Sequence, residues 1–216
     1  VSTVFRRRRR EQPDQAAEQQ VSAAPTRESG PWDADEPHPE TDRIDLGGLL
    51  LPHNPDFDLR LASVGDQNVG VVALYEESSL QLQALAAPKS MGLWDEVRAK
   101  IRTGAKDLAE QEGPFGPELI GEISGEGNTT RKARYIGIDG PRWFVLAMIS
   151  GRAALDENVA NVFLDFIKDV VVVRGTEPMA REEPITLRRP NEQGVETADS
   201  QGLNPFKRGP EISEIR

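Results

Sequence analysis

The sequence contains no cysteine, which excludes disulfide frameworks, thiolate zinc sites, iron–sulfur clusters and cysteine nucleophiles together. Histidine is almost as scarce. Only His38 and His53 occur, each beside proline, and neither has a partner at the spacing of a helical metal motif. Long apolar runs are also missing: the longest, Trp143 to Ile149, covers seven residues where a membrane-spanning helix needs about 20. No apolar stretch follows Arg6 to Arg10 either. Glu11, Gln12, Pro13, Asp14 and Gln15 stand where the core of a secretory signal is required. These absences lead us to expect a cytoplasmic protein with no membrane insertion, no metal and no cofactor.

Catalytic motifs are equally sparse. There is no Gly-x-Ser-x-Gly turn to carry a serine nucleophile. Gly113 and Gly116, and then Gly121, Gly125 and Gly127, match no phosphate loop and lack the Lys-Ser or Lys-Thr that follows one, so they read as turn glycines. Glu76 with Glu77, or Glu118 with Glu122, could form an acid–base pair, but nothing in their spacing makes them converge. With 36 acidic residues in 216, solvated surface is the default for any one of them. The expectation is therefore a protein without a catalytic site, the alternative being an enzyme built from dispersed carboxylates and arginines.

The chain does contain charge, and it is unevenly spread. Net charge is −10 and the pI about 4.8, which argues against a general polyanion-binding surface. Five adjacent arginines, Arg6 to Arg10 (Arg6, Arg7, Arg8, Arg9, Arg10), are the exception, and Arg131, Lys132 and Arg134 form a smaller basic cluster. Together they are the candidate polyanion-binding groups, able to neutralise phosphates with salt-sensitive affinity. Aromatic interleaving is limited to Tyr135, so base-specific recognition is not expected.

Hydrophobic residues make up 37% of the chain and mean hydropathy is −0.52, because a patterned centre is flanked by polar ends. Residues 1–43 read as a disordered arm, residues 44–175 as one globular domain, and residues 176–216 as an extended or disordered tail in which only Ile185-Thr186-Leu187 looks like a strand. Trp32 in the arm and Phe206 in Leu203-Asn204-Pro205-Phe206-Lys207-Arg208 are isolated aromatics in polar surroundings, and they are the candidate partner-binding anchors. The Leu203–Arg208 island is alternatively an anchor that packs back on the domain.

Within the centre, Phe57, Leu59 and Leu61 alternate with Asp58 and Arg60, Val69 to Tyr75 is an apolar run, and Leu80 to Ala86 alternates with Gln81 and Gln83 outward. These predict three antiparallel strands. Trp94, Val97, Ile101, Ala105 and Leu108 predict a helix from Ser90 to about Gln111, stopped by Gly113-Pro114. Glu118 to Ser124, Lys132 to Ile138 and Arg142 to Ile149 predict three more strands, with Asp139-Gly140 as the last turn. Asp156 is placed as the N-cap of a helix with Val159, Val162, Phe163, Phe166 and Val170 on one face, after which Val171 to Val173 is extended. The class is α+β: an antiparallel sheet of about six strands with two main helices packed on one face.

This order resembles the PsbP and Mog1-like fold, in which a strand hairpin precedes a C-terminal helix lying across the sheet. The arginine-rich start, Leu93-Trp94-Asp95-Glu96-Val97-Arg98, Arg142-Trp143-Phe144 and Gly151-Arg152 resemble an actinobacterial family classed as a domain of unknown function. That resemblance implies a bacterial cytoplasmic protein and carries over no catalytic residue. The functional expectation is a non-enzymatic protein-interaction module with an unidentified protein partner, the alternative being an accessory nucleic-acid binder using Arg6 to Arg10.

Overall fold

A computed structural model describes residues 29–89, 92–105, 107–124 and 130–190. In chain order the elements are β1 (Trp32–Asp33), β2 (Arg43–Asp45), β3 (Leu49–Pro52), β4 (Asp58–Val64), β5 (Gln67–Tyr75), β6 (Ser78–Ala86), α1 (Leu93–Gly104), β7 (Leu108–Gly113), β8 (Gly116–Ser124), β9 (Thr130–Gly140), β10 (Trp143–Gly151), α2 (Glu157–Lys168) and β11 (Val171–Val172). Seven strands form an antiparallel sheet in the order β4-β5-β6-β10-β9-β8-β7, and a small second sheet runs β1-β11-β3-β2.

The core follows from period-two alternation. Leu80, Leu82 and Ala84 of β6 and Val145, Ala147 and Ile149 of β10 point to one face of the large sheet, joined there by Ile136 and Ile138 of β9. Helix α2 lies against this face and buries Val159, Ala160, Phe163, Leu164, Phe166 and Ile167. Its start is fixed by Asp156, whose carboxylate accepts from the Asn158 N–H at 3.1 Å. At its other end Arg43 donates from Nε to the Asp169 carbonyl at 2.8 Å and pairs with the Asp169 carboxylate, a cation set where α2 leaves carbonyls unpaired. The small sheet then closes over the same core with Leu49, Leu51 and Val172.

The α+β class holds, but the helices divide between the faces. Trp94 and Val97 of α1 pack with Leu85 and Phe144, which alternate with the α2-side residues and so lie on the opposite face. An amphipathic stripe marks that a helix is buried against something; it carries no sign for which side of a sheet. Helix α1 also stops sooner than expected. Leu108 continues the helical spacing of Ile101 but sits in β7, where it pairs with Gly121, so Gly113-Pro114 lies at a hairpin bend rather than at a helix stop. This adds the seventh strand.

The β9–β10 turn is displaced as well. Asp139 and Gly140 are the last residues of β9, and Pro141-Arg142 make the turn, with Arg142 at φ 60. Gly140 is required for close approach: a Cβ there would stand 2.2 Å from the Trp143 ring. The Asp139 carboxylate reaches the start of α1 and accepts from the N–H groups of Gly92 at 3.2 Å and Leu93 at 3.1 Å. A sheet residue thus caps a helix whose own N-cap position, Gly92, has no side chain to do so.

The ordered unit also extends past residues 44–175. Trp32 donates to the Val170 carbonyl at 2.8 Å and β1 pairs in parallel with β11. At the other end Ile185 and Leu187 are buried, and Leu187 bridges to both Gly47 and Asn68. Both extensions form through contacts more than 100 residues apart in sequence, which local composition does not register.

Candidate functional site

The two faces of the large sheet are finished differently. On the α2 face, Trp143, Phe163, Leu80 and Ile149 are wholly buried. On the α1 face, the helix covers Leu85, Phe144 and part of Tyr135 and Leu146, and stops there. Beyond it, Val72 and Leu74 of β5, Gln81 and Gln83 of β6 and Met148 of β10 share the face by register, and Val72, Leu74 and Met148 are only half-buried. Among the described residues, none of these three apolar side chains joins either core cluster. A hollow of about 290 Å³ runs over Ala62, Gly70, Gln81, Tyr135, Leu146 and Met148. Burial raises the Tyr135 phenol above its ordinary value, with nearby Arg131 pulling the other way.

A larger cleft of about 830 Å³ adjoins that hollow on the same stretch of β4 and β5, sharing Val71. Its floor is Ile44, Leu46, Leu59, Leu61 and Val71, and Arg60, Arg189 and Pro190 stand around it. Strand β2 is the last strand of the small sheet and β4 the last of the large one, so the cleft separates two sheet edges.

The expected basic cluster is taken apart by its own register. Arg134 points into the α2 face, is 2% exposed, and holds Glu118 in a two-pronged pair: Nε to Oε2 at 2.9 Å and the second nitrogen to Oε1 at 2.8 Å. Glu157 adds contacts at 3.2 Å, and Gln111 donates to Glu118 at 2.8 Å. Arg134 is therefore a structural cation, committed before any polyanion arrives. Lys132 pairs with Glu122 at 2.5 Å, and Arg131 lies on the opposite face, exposed. Neighbours along a strand alternate in direction, so three basic residues in a row of four cannot make one patch.

The carboxylate pairs are likewise separated. Glu118 is buried against Arg134 while Glu122 is exposed against Lys132, and Glu76 and Glu77 sit exposed at the β5–β6 turn. His38 is half-buried and His53 exposed, and His53 lies 3.4 Å from Asp42. Among the described residues no three His, Asp or Glu side chains are grouped to hold a metal ion. No helix among them is long and apolar enough to cross a membrane.

Of the candidate anchors, Trp32 is 8% exposed and held in β1, so it is not free to meet a partner. Its neighbour Asp33 explains part of this, accepting the indole N–H of Trp143 at 2.7 Å deep in the structure. Phe206 and Arg6 to Arg10 lie outside the described residues. An open face was expected from the sequence, since packing both helices on one face leaves the other uncovered, but Trp143 to Ile149, an unbroken apolar run, does not show that α1 covers only half of it. The signal that marks it is in β6, where Gln81 and Gln83 face the same way as Met148 and Leu146.

A seven-stranded antiparallel sheet carrying one helix on each face, with a small sheet closing over the α2-side core, defines an α+β domain. The model of the family described as "Protein of unknown function (DUF3710)" matches residues 30–196, and the chain belongs to that family. No curated protein matches it. Among solved structures, the chain is similar to the solution structure of cyanobacterial PsbP (CyanoP) from Synechocystis sp. PCC 6803, at 11% identity and a TM-score of 0.37, over 61% of this chain and 91% of that one.

Proposed function

We propose that this chain is a non-enzymatic interaction module that binds a partner protein through the uncovered half of its α1 face. The observation that carries the reading is the row Val72, Leu74, Leu146 and Met148, an apolar strip left half-buried on the face of the sheet opposite α2 and the small sheet. Apolar surface of this kind, rimmed by Gln81, Gln83 and Arg131, has the composition of a partner's seat. The reading includes a cytoplasmic location, which the lack of cysteine fits.

The test is quantitative crosslinking in cells with the full chain and with a Leu74→Lys, Met148→Lys variant, whose fold is checked by circular dichroism. One reproducible protein partner, lost in the folded variant, is expected. The same set of proteins recovered with both chains, or no reproducible partner at all, contradicts the reading.

A second reading, an accessory nucleic-acid binder, draws on Arg6 to Arg10 in the sequence. Its test is RNA and DNA binding at two salt concentrations, with and without the first ten residues, and affinity indifferent to the deletion rules it out.

A further inference from the structure

We propose that the cleft between the edge strands β2 and β4 is the seat of the chain's own segment Leu203–Phe206, which folds back to fill it. The site differs from the partner surface although Val71 lines both hollows: Leu59 and Leu61 reach the cleft from the α2 side of the sheet, whereas Val72, Leu74 and Met148 point the other way.

The chain is led there. Leu187 is bridged to Gly47 on one sheet and Asn68 on the other, and the Arg188 N–H donates to the Leu46 carbonyl at 2.9 Å. The next two residues, Arg189 and Pro190, are themselves part of the cleft wall. Leu203 follows 13 residues later. Thirteen residues of coil would span roughly 20 Å, more than enough to double back into an adjoining groove and short enough to hold the segment near it.

The chemistry of the segment matches the site. Phe206 is the only aromatic residue beyond Pro190, and with Leu203 and Pro205 it forms a compact apolar group suited to a floor of Ile44, Leu46, Leu59, Leu61 and Val71. The link contains Glu192, Glu196 and Asp199 and no lysine or arginine up to Gly202, opposite in sign to Arg189 at the rim, while Arg60 there is paired with Asp58 at 2.6 Å and Lys207-Arg208 follow the apolar group. Each sheet edge offers backbone donors and acceptors to an extended segment laid along it, and covering them removes a template for unwanted pairing with other chains.

The experiment uses the full chain. Because the protein has no cysteine, Ser200→Cys gives a single attachment point for a nitroxide label, and methyl NMR reads its neighbours. Leu59, Leu61 and Val71 are expected to lose most of their signal relative to the reduced label, while Leu74 and Leu146 on the other face keep theirs. Adding Leu203→Asp and Phe206→Asp should restore the lost signals. Broadening spread evenly over both faces, or broadening that survives the double substitution, overturns the proposal. A mixture of isotope-labelled chain without nitroxide and nitroxide-labelled chain without isotope separates a second copy: loss of the same signals there assigns the cleft to another molecule and also overturns it.

Discussion

The α2 face and the α1 face of the large sheet begin from the same seven strands and end in opposite conditions. On the α2 face, a helix with six buried apolar side chains and a second sheet leave Trp143, Val145, Ala147 and Ile149 without solvent contact. On the α1 face, a helix of equal length buries only Leu93, Trp94 and Val97 and leaves β4, β5 and the Gln81 to Gln83 part of β6 outside its cover. The difference teaches that closure is set by what arrives from elsewhere in the chain, not by the strands. β3, β11 and the segment around Ile185 and Leu187 all converge on one side.

Breaking the closed side should therefore cost the most. Trp143→Ala removes the largest buried side chain and strands Asp33, and is expected to lose about 3–5 kcal/mol in urea unfolding. Glu118→Gln leaves the buried Arg134 short of its counter-charge and should cost about 3 kcal/mol or more, while Glu118→Leu with Arg134→Met recovers most of it. On the other side, Asp139→Ala uncaps α1 and should cost about 1 kcal/mol, with amide exchange rising at Leu93 and Trp94 before the sheet is affected. Met148→Ala, in the strip beyond α1, should stay at about 1 kcal/mol or less. A loss there equal to that of Trp143→Ala would abolish the contrast between the faces.

The smallest effect concerns acid. Asp156 is held below the usual carboxylate range first by the hydrogen bond from Arg152, then by the backbone N–H groups it caps. Its folded value lies under its unfolded one, so its support of α2 is present above the unfolded value and is lost as pH falls through the folded one. Asp156→Asn should flatten that part of an acid unfolding curve without moving the neutral-pH midpoint much.

Much of the closed face was legible in the sequence, because alternation in Leu80–Ala86 and the stripe from Val159 to Val170 are local patterns with one physical meaning. Three features were not. Leu108 fits a helical repeat and a strand equally well, and only pairing with β8 decides between them. Gly140 looks like a turn residue until the Trp143 ring is seen beside its α-carbon. Arg134 looks like part of a basic patch until strand direction turns it inward onto Glu118. The candidate partner strip was hidden for a related reason: an unbroken apolar run such as Trp143 to Ile149 does not say which of its two sides is left without a neighbour.

Footprinting with hydroxyl radicals on the purified full chain and again in cells measures the contrast most directly. The account predicts that Met148 and Leu74 are modified readily in the purified protein while Trp143 and Phe163 are not, and that Met148 and Leu74 become protected in cells. Equal modification of both faces in the purified chain, or identical modification of Met148 and Leu74 in the two settings, would contradict it.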